Sequence, residues 1–301
     1  MRSPAACLLF AMACAAPDPP PRADAPFAAA IESAALRSDV VREASGLVSS
    51  ARHPGVFWTH NDSGDEPRIF AIDASGAIRA TLRIAGARNR DWEDIARRGD
   101  TLFIADVGDN AAVHPSVRVY AVLEPAALAD GSLALVAQYE LHYPDGARDA
   151  ETFIVDPLSG DWFIVTKRGE RSRLYTLAAA SRAETGAPMA AGSGDVPGAT
   201  PALVLARVEG VLPFRLAVAG DVSADGTEVL VKTYTEVFYW KRGAGESLAA
   251  SLLRPPRRLP YRPEPQGEAI AFTLDGDAYA TLSEAAGGGV AQRLLLYRRA
   301  P

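Results

Sequence analysis

Acidic residues recur just ahead of short apolar, β-rich runs, and their chemistry is the most distinctive in the chain. The recurring acids are Glu43, Glu93, Glu151, Asp221 and Glu268. Carboxylates brought close together cannot all stay ionised without a cation, bound protons or hydrogen-bond donors. A hard, oxygen-liganded ion such as Ca²⁺ or Mg²⁺ suits them best. These five acids are therefore candidate metal ligands.

A second polar group follows later apolar runs in the chain. Its members, all candidate ligand-binding residues, are His60, Asn61, Asp106, Asp109, Asn110, Lys167 and Arg168. The Lys167–Arg168 pair could meet a phosphate or a carboxylate. Plainer alternatives stay open: a structural role for His60, an Asx turn at Asn61 to Gly64, and recurring acids that accept backbone hydrogen bonds from a neighbouring repeat.

Other catalytic signatures are absent from the sequence. There is no G-x-S-x-G elbow, no P-loop and no H-E-x-x-H helix. The only cysteines, Cys7 and Cys14, lie in the first 14 residues. Their position excludes a disulfide scaffold, a cysteine-ligated zinc site and a cysteine nucleophile in the body of the chain. The residues leave open whether the protein is an enzyme.

The elements that must position these residues form a repeat. Each of five units opens with one recurring acid, passes through a glycine-containing turn into a second apolar strand, and continues into a third. Fourth strands are predicted at Ala77–Ile84, Leu135–Leu141, Ala202–Val208 and Leu248–Leu253. The third unit is the longest because it contains the Gly/Ala/Pro-rich loop Ser181 to Thr200. The basic segment Arg254 to Arg258 is interpreted as a surface connection.

The last unit is one strand short at Pro301, and the segment Ala34 to Val41 is predicted to supply the missing strand. This pattern predicts an all-β fold: a β-propeller of five four-stranded blades closed by an N-terminal strand. A sixth blade would require degenerate strands hidden in the long loop of the third unit. First strands line the channel of a propeller, so most candidate residues are expected to converge on one mouth of it.

The N-terminal residues are predicted to be an export signal. Residues 1–14 combine Arg2 with a short apolar stretch and end in the lipobox-like Ala11-Met-Ala-Cys14. Residues 15–33 form a Pro-rich tether, and residues 34–301 form a single propeller domain. We expect an extracytoplasmic protein anchored to the membrane through lipidated Cys14. The alternative is a soluble secreted or periplasmic protein.

The amino-acid composition limits the classes of binding partner. The chain has 301 residues, with 31 Lys and Arg against 37 Asp and Glu, a formal charge of −6. This acidity argues against nucleic-acid binding and against a polybasic membrane surface, so membrane contact is expected only through the lipid anchor. Apolar residues make up 48%, which is enough for a sizeable core. We expect a monomer that binds a small molecule or an envelope protein.

Four motifs point to a known group of proteins. They are Asp91-Trp-Glu-Asp-Ile-Ala96, Ile104-Ala-Asp-Val-Gly-Asp-Asn110, Asp149-Ala-Glu-Thr152 and Pro265-Gln-Gly-Glu-Ala269. Over roughly residues 40–300 the chain resembles uncharacterised secreted bacterial β-propeller proteins. It is more distantly similar to phytase-like and gluconolactonase-like propellers, and lactonase-type propellers hold a divalent ion. That ligand set cannot be placed residue by residue here, so the resemblance implies a fold rather than an activity.

Two functions are compatible with these observations. The first is an exported cell-envelope propeller whose acidic face binds a ligand or a metal ion. The alternative is a divalent-metal-dependent hydrolase of lactone, ester or phosphoester substrates, in which the ion polarises the scissile group or activates water. An open coordination position on the ion would distinguish the enzyme from the binding protein.

Overall fold

The computed structural model describes residues 26–36, 38–184, 203–285 and 292–300. The predicted signal segment, including Cys14, and most of the predicted tether lie outside these residues. Within them, no helix has both the length and the apolar character needed to cross a membrane.

The described residues form five four-stranded antiparallel blades, and parallel pairing between the outer strands of the first two blades joins those two into one sheet. Blade one contains β2 (Ala44–Ser49), β3 (Val56–Asn61), β4 (Arg68–Asp73) and β5 (Ile78–Ala85). Blade two contains β6 (Trp92–Arg98), β7 (Thr101–Asp106), β8 (Val117–Leu123) and β9 (Gly131–His142). Blade three contains β10 (Ala150–Val155), β11 (Trp162–Thr166), β12 (Leu174–Leu177) and β14 (Ala206–Arg207). Blade four contains β15 (Ala217–Val222), β16 (Glu228–Thr233), β17 (Val237–Lys241) and β18 (Arg257–Leu259).

Blade five is completed by the N-terminal part of the chain. It contains β19 (Gly267–Phe272), β20 (Ala278–Ser283), β21 (Arg293–Arg298) and β1 (Ile31–Ala35). Ile31 of β1 pairs with Leu296 of β21, and Phe27 forms a further bridge with Arg299. The closing strand was predicted at residues 34–41 and lies slightly earlier in the chain.

The inner strands close a ring. They contact one another in the order β2, β6, β10, β15, β19 and back to β2. Buried apolar side chains form five clusters, one between each pair of neighbouring blades. The fifth joins blades four and five and includes Phe27. The prediction of an all-β propeller with five blades and N-terminal closure is confirmed.

The first hairpin of every blade turns at a glycine. The five residues, Gly55, Gly99, Gly160, Gly226 and Gly276, have φ between 61° and 79°. Side chains rarely tolerate this left-handed region, because Cβ approaches the backbone there. The predicted glycine turns therefore recur in all five blades with one backbone conformation.

Blade four departs from the prediction. The predicted fourth strand at Leu248–Leu253 is a short helix, α2 (Leu248–Leu252), capped by Ser247, whose side chain accepts a hydrogen bond from the Ala250 amide. Leu248, Ser251 and Leu252 are buried, the i, i+3, i+4 spacing of one helix face. The actual fourth strand, β18, falls largely in the Arg254–Arg258 segment that we interpreted as a surface connection.

The third unit also differs in detail. The predicted strand Ala202–Val208 is divided between two blades: β13 (Leu203–Val204) pairs with β9 of blade two, and β14 pairs with β12 of blade three. A short helix, α1 (Ala179–Glu184), precedes it. The rest of the predicted loop up to Thr200 lies outside the described residues.

Candidate functional site

Every inner strand carries a β-bulge at the same place. One residue is skipped in the pairing of each first hairpin: Gly46, Glu93, Glu151, Val218 and Glu268. A bulge leaves its extra residue outside the ladder and redirects its side chain. Three of the five bulge positions therefore present a glutamate at one mouth of the channel, while glycine and valine occupy the other two.

Further carboxylates join these glutamates. Three sets of acids bring one carboxylate oxygen each to within 4.8 Å of the others: Asp62, Glu268 and Glu284; Asp62, Asp91 and Glu93; Glu93, Asp149 and Glu151. Asp62 belongs to the first two sets and Glu93 to the last two, so the sets form one chain of seven acids. We call these seven residues the acidic cluster.

The sequence pattern Asp-x-Glu marks part of this cluster. Asp91 stands two residues before Glu93, and Asp149 stands two residues before Glu151. Because the glutamate of each pair occupies the bulge, the aspartate lies at the entrance of the same strand. Asp62, Asp91, Asp149 and Glu284 were not among our candidate ligands, and the repeated Asp-x-Glu would have found two of them.

Two basic residues hold the blade-three acids. Lys167 forms an ion pair with Glu151, and its Nζ lies 5.3 Å from the centroid of the Tyr234 ring. The Arg168 Nε atom donates to Asp149 Oδ2 at 2.6 Å. The second Glu151 oxygen, Oε2, is buried and has no hydrogen-bond partner among the described residues. The cluster therefore contains a buried oxygen without a donor, beside acids that are partly neutralised.

Burial and mutual repulsion favour the protonated forms of these acids. Burial, with repulsion from Asp91 and Glu268, raises the pKa of Asp62 to about 7, and burial beside Glu268 raises the pKa of Glu284 to about 8. Burial and the nearby Glu151 hold the pKa of Glu93 well above its ordinary value. Such a cluster must hold protons at neutral pH, or a cation in their place.

One glycine makes room for two of the carboxylates. A Cβ on Gly108 would overlap Glu93 Oε1 and Asp91 Oδ2. Gly108 lies in the loop after β7, and its amide donates to the Asp91 carbonyl at 3.1 Å. Because Gly108 has no Cβ, the backbone of this loop can lie closer to the Glu93 and Asp91 carboxylates than any other residue at this position would allow.

Two of the five predicted metal ligands lie apart from these sets. Glu43 is exposed and precedes β2 by one residue, although its carbonyl accepts from the Asp62 amide at 2.8 Å. Asp221 lies three residues beyond the bulge of β15 and lines a different cavity, of about 260 Å³. Its carboxylate accepts from the Phe272 amide of blade five at 2.7 Å. The structure brings together Glu93, Glu151 and Glu268.

Asp94 shows an inter-blade contact of the same kind. Its carboxylate is fully buried and accepts from the amides of Ile95 and Phe153, both at 2.9 Å, and from Gly220 at 3.2 Å. These donors belong to blades two, three and four. Asp94 and Asp221 therefore act as pins between blades, the alternative role that the sequence suggested for the recurring acids.

His60 and Asn61 are committed to structural contacts. The buried His60 ring packs edge-on against Trp92, with centroids 5.6 Å apart, and burial lowers its pKa to about 4. Asn61 accepts from the amides of Arg42 and Glu43 and donates to Val40 and Asp65. The residue of this loop that reaches the acidic cluster is the next one, Asp62.

The remaining predicted ligand residues surround the Asp-x-Glu positions. Asp106 Oδ1 accepts from the Asp91 amide at 2.8 Å, and the Asp109 amide donates to Asp149 Oδ1 at 3.1 Å. Asn110 accepts from Arg168. Asp106 thus holds the backbone of a cluster acid, the Asp109 amide contacts a cluster carboxylate directly, and Asn110 reaches Asp149 only through Arg168.

Comparisons with known proteins do not assign the chain to a family. No family model matches the chain, and no curated protein matches it. Solved structures with similar folds include the hydrazine synthase of Kuenenia stuttgartiensis (11% identity, 85% of this chain and 71% of that chain, TM-score 0.43). Others are U3-55K (13%, 85% and 67%, 0.38) and the WD40 repeats of RRP9 (13%, 85% and 67%, 0.39). Nothing about function follows from these likenesses.

Proposed function

We propose that the protein is an exported propeller that binds a divalent cation at the acidic cluster. The observation that carries this proposal is the position of Glu93, which is 2% exposed and shared by two sets of three carboxylates. The buried, unpartnered Glu151 Oε2 in one of these sets supports it. An ion held there would satisfy that oxygen and remove the repulsion among the acids.

Calcium suits the cluster better than magnesium. Ca²⁺ accepts six to eight oxygen ligands in flexible geometry, whereas Mg²⁺ demands near-octahedral geometry and seldom occupies cages built from protein groups alone. Extracellular calcium sites work with Kd values of roughly 10⁻⁴ to 10⁻³ M. A site of modest affinity would therefore be filled in the extracytoplasmic location that we propose for this chain.

Thermal melting tests the metal site. We expect Ca²⁺ to raise the Tm and EDTA to lower it, because an ion bound only by the native state stabilises it by about 2.7 kcal/mol at a hundredfold excess over Kd. Glu93→Gln should abolish the response, since it removes a ligand from two sets. Glu66→Gln, whose side chain is 64% exposed, is the matched control and should respond like the wild type.

The opposite result has a distinct signature. Removing one carboxylate from an ion-free cluster relieves repulsion, so Glu93→Gln would then be as stable as the wild type or more so. That outcome, together with a Tm indifferent to both ion and chelator, would reject the metal site. It would leave the acids as proton-sharing groups.

Hydrolysis is the second candidate function. Burial raises the pKa of Glu151, although Lys167 opposes the shift, and a carboxyl group with a raised pKa can hold the proton that a general acid donates. Its free Oε2 is the atom that would exchange a proton with a metal-bound water or a leaving group. Screening lactones, esters and phosphoesters with the calcium-loaded protein, and with Glu151→Gln as control, tests this activity.

Export through Cys14 is a separate proposal and has its own test. Mass spectrometry of the mature N-terminus from the native host should find a diacylated or triacylated Cys14 as the first residue. An unmodified N-terminus beyond Cys14 would instead indicate a soluble secreted or periplasmic protein.

A further inference from the structure

A cationic cavity adjoins the acidic cluster. It has a volume of about 500 Å³ and is built mainly by the β11–β12 loop, the residues ahead of β10, and β14. Five arginines and two acids line it: Arg148, Arg168, Arg171, Arg173, Arg207, Asp149 and Glu170. On a chain with a formal charge of −6, this is a local concentration of positive charge.

Three of these arginines have acidic partners. Arg148 and Arg173 both contact Asp145 Oδ2, each at 3.0 Å, and Arg168 contacts Asp149. One aspartate thus serves two guanidinium groups. The Arg148 Nε atom is buried and has no hydrogen-bond partner among the described residues. The acids at hand therefore do not use all the donors that these arginines offer.

The other two arginines of the lining have no acidic partner among the described residues. The exposed side chains of Arg171 and Arg207 form no hydrogen bond or ion pair with the part of the chain that the structure describes. Like charges around one cavity repel one another unless an anion lies among them. A guanidinium group offers a rigid fork of donors that fits the paired oxygens of a carboxylate or phosphate.

We propose that this cavity binds a multiply charged oxyanion, a small molecule bearing carboxylate or phosphate groups. Its volume falls within the range of small-molecule sites, about 300–1,000 Å³, and exceeds the space that one inorganic anion needs. Asp149 belongs both to this lining and to a carboxylate set of the acidic cluster. A bound anion would therefore lie next to the cation, a link that rests on the proposed function, whereas anion binding itself does not.

Isothermal titration with citrate and with inorganic phosphate tests the site. The protein is first treated with chelator and dialysed, so that chelation of a metal does not contribute heat. We expect at least one of the two anions to bind and the affinity to fall as sodium chloride is added, because salt screens exposed charges. Binding of citrate alone would assign a carboxylate ligand, and binding of phosphate alone a phosphate ligand.

Variants locate the binding. Arg171→Gln combined with Arg207→Gln should weaken it about tenfold or more, because charge-assisted hydrogen bonds are lost. Arg83→Gln, an exposed arginine of blade one that faces Glu66 at 3.5 Å, should leave it unchanged. Glu170→Gln should strengthen binding, since it removes a negative charge from the lining. Failure of both anions to bind, or unchanged affinity in the double variant, would overturn the proposal.

The same variants separate the two sites. Glu93→Gln should lose the calcium response and keep anion binding in chelator-treated protein. The arginine double variant should keep the calcium response and lose anion binding. Each proposal can therefore fail without the other.

Discussion

The Asp94 carboxylate of blade two accepts a hydrogen bond from the Gly220 amide of blade four, at 3.2 Å, although another blade stands between them around the ring. The same Oδ2 atom accepts from the Phe153 amide of blade three at 2.9 Å. One side chain therefore connects three inner strands from within the channel. A propeller whose blades touch mainly their neighbours gains a direct link across its axis.

Asp94→Asn should destabilise the fold by about 2–4 kcal/mol, because an amide nitrogen would face buried N–H donors that then lack an acceptor. Urea unfolding measures the change. Asp100→Asn is the control, since that side chain is 46% exposed in a surface ion pair with Arg52, and it should change stability far less than Asp94→Asn does. Equal stability of the two variants would contradict the role of Asp94.

Gly108→Ala should weaken calcium binding while the protein still folds. The added Cβ would displace the Glu93 and Asp91 carboxylates, which belong to one set of candidate ligands. Calcium titration followed by Tm measures the loss. Gly131→Ala is a fair control, because a Cβ there meets no atom closer than 3.9 Å, and a calcium response equal in both variants would argue against ligation by Glu93 and Asp91.

Stability of the ion-free protein should fall as pH rises from about 4 to 8. The folded state raises the pKa of Asp62 from 3.8 to about 7 and that of Glu284 from 4.5 to about 8. In this window these two carboxyl groups hold more protons in the folded chain than in the unfolded chain. Together they outweigh the single group His60, whose lowered pKa acts in the opposite direction up to about pH 6.5, so raising the pH favours unfolding. Urea unfolding in EDTA at several pH values gives the slope.

Bound calcium should oppose this loss of stability at higher pH. Protons and the ion compete for the same carboxylates, so the calcium affinity should rise with pH over the same range. Titrations at pH 5 and pH 8 measure the difference. A calcium affinity that does not change between these values would separate the ion from Asp62 and Glu284.

Lys167→Met should have opposite effects on the two forms of the protein. Without the ion, Glu151 loses its cationic partner and the fold becomes less stable. With the ion, the competing positive charge is gone, so calcium should bind several times more tightly. The two measurements are the Tm in EDTA and the calcium Kd. A calcium Kd that does not fall in this variant would place the ion away from Glu151.

The repeat was visible in the sequence because turn glycines and apolar runs act locally. Each turn needs a residue at positive φ, and Gly226 or Gly276 indicates it without knowledge of the rest of the fold. The short helix at Leu248 was missed because its apolar spacing over five residues is brief, and a strand was expected there by analogy with the other units.

The candidate site was only partly predictable, because whether an acid enters it depends on its exact position relative to the bulge of its strand. Asp221 and Glu93 both stand near a strand start in the sequence. The bulge directs Glu93 to the acidic cluster, while Asp221, three residues past its own bulge, pins blade five. Glu284 follows β20, which pairs with Glu268's own strand β19, so a local hairpin brings these two acids together. Asp62 comes from a loop of blade one, and only the closed ring brings it to Glu268.

The bridge between Phe27 and Arg299 brings the two ends of the described chain side by side in one blade. A covalent link between them would span little distance, so the ring could be cut elsewhere and rejoined there. The exposed loop at Gly245 between blade-four elements offers such an opening. In a circular permutant of this kind the closing strand would become an ordinary internal hairpin partner, and ring closure would pass to blade four.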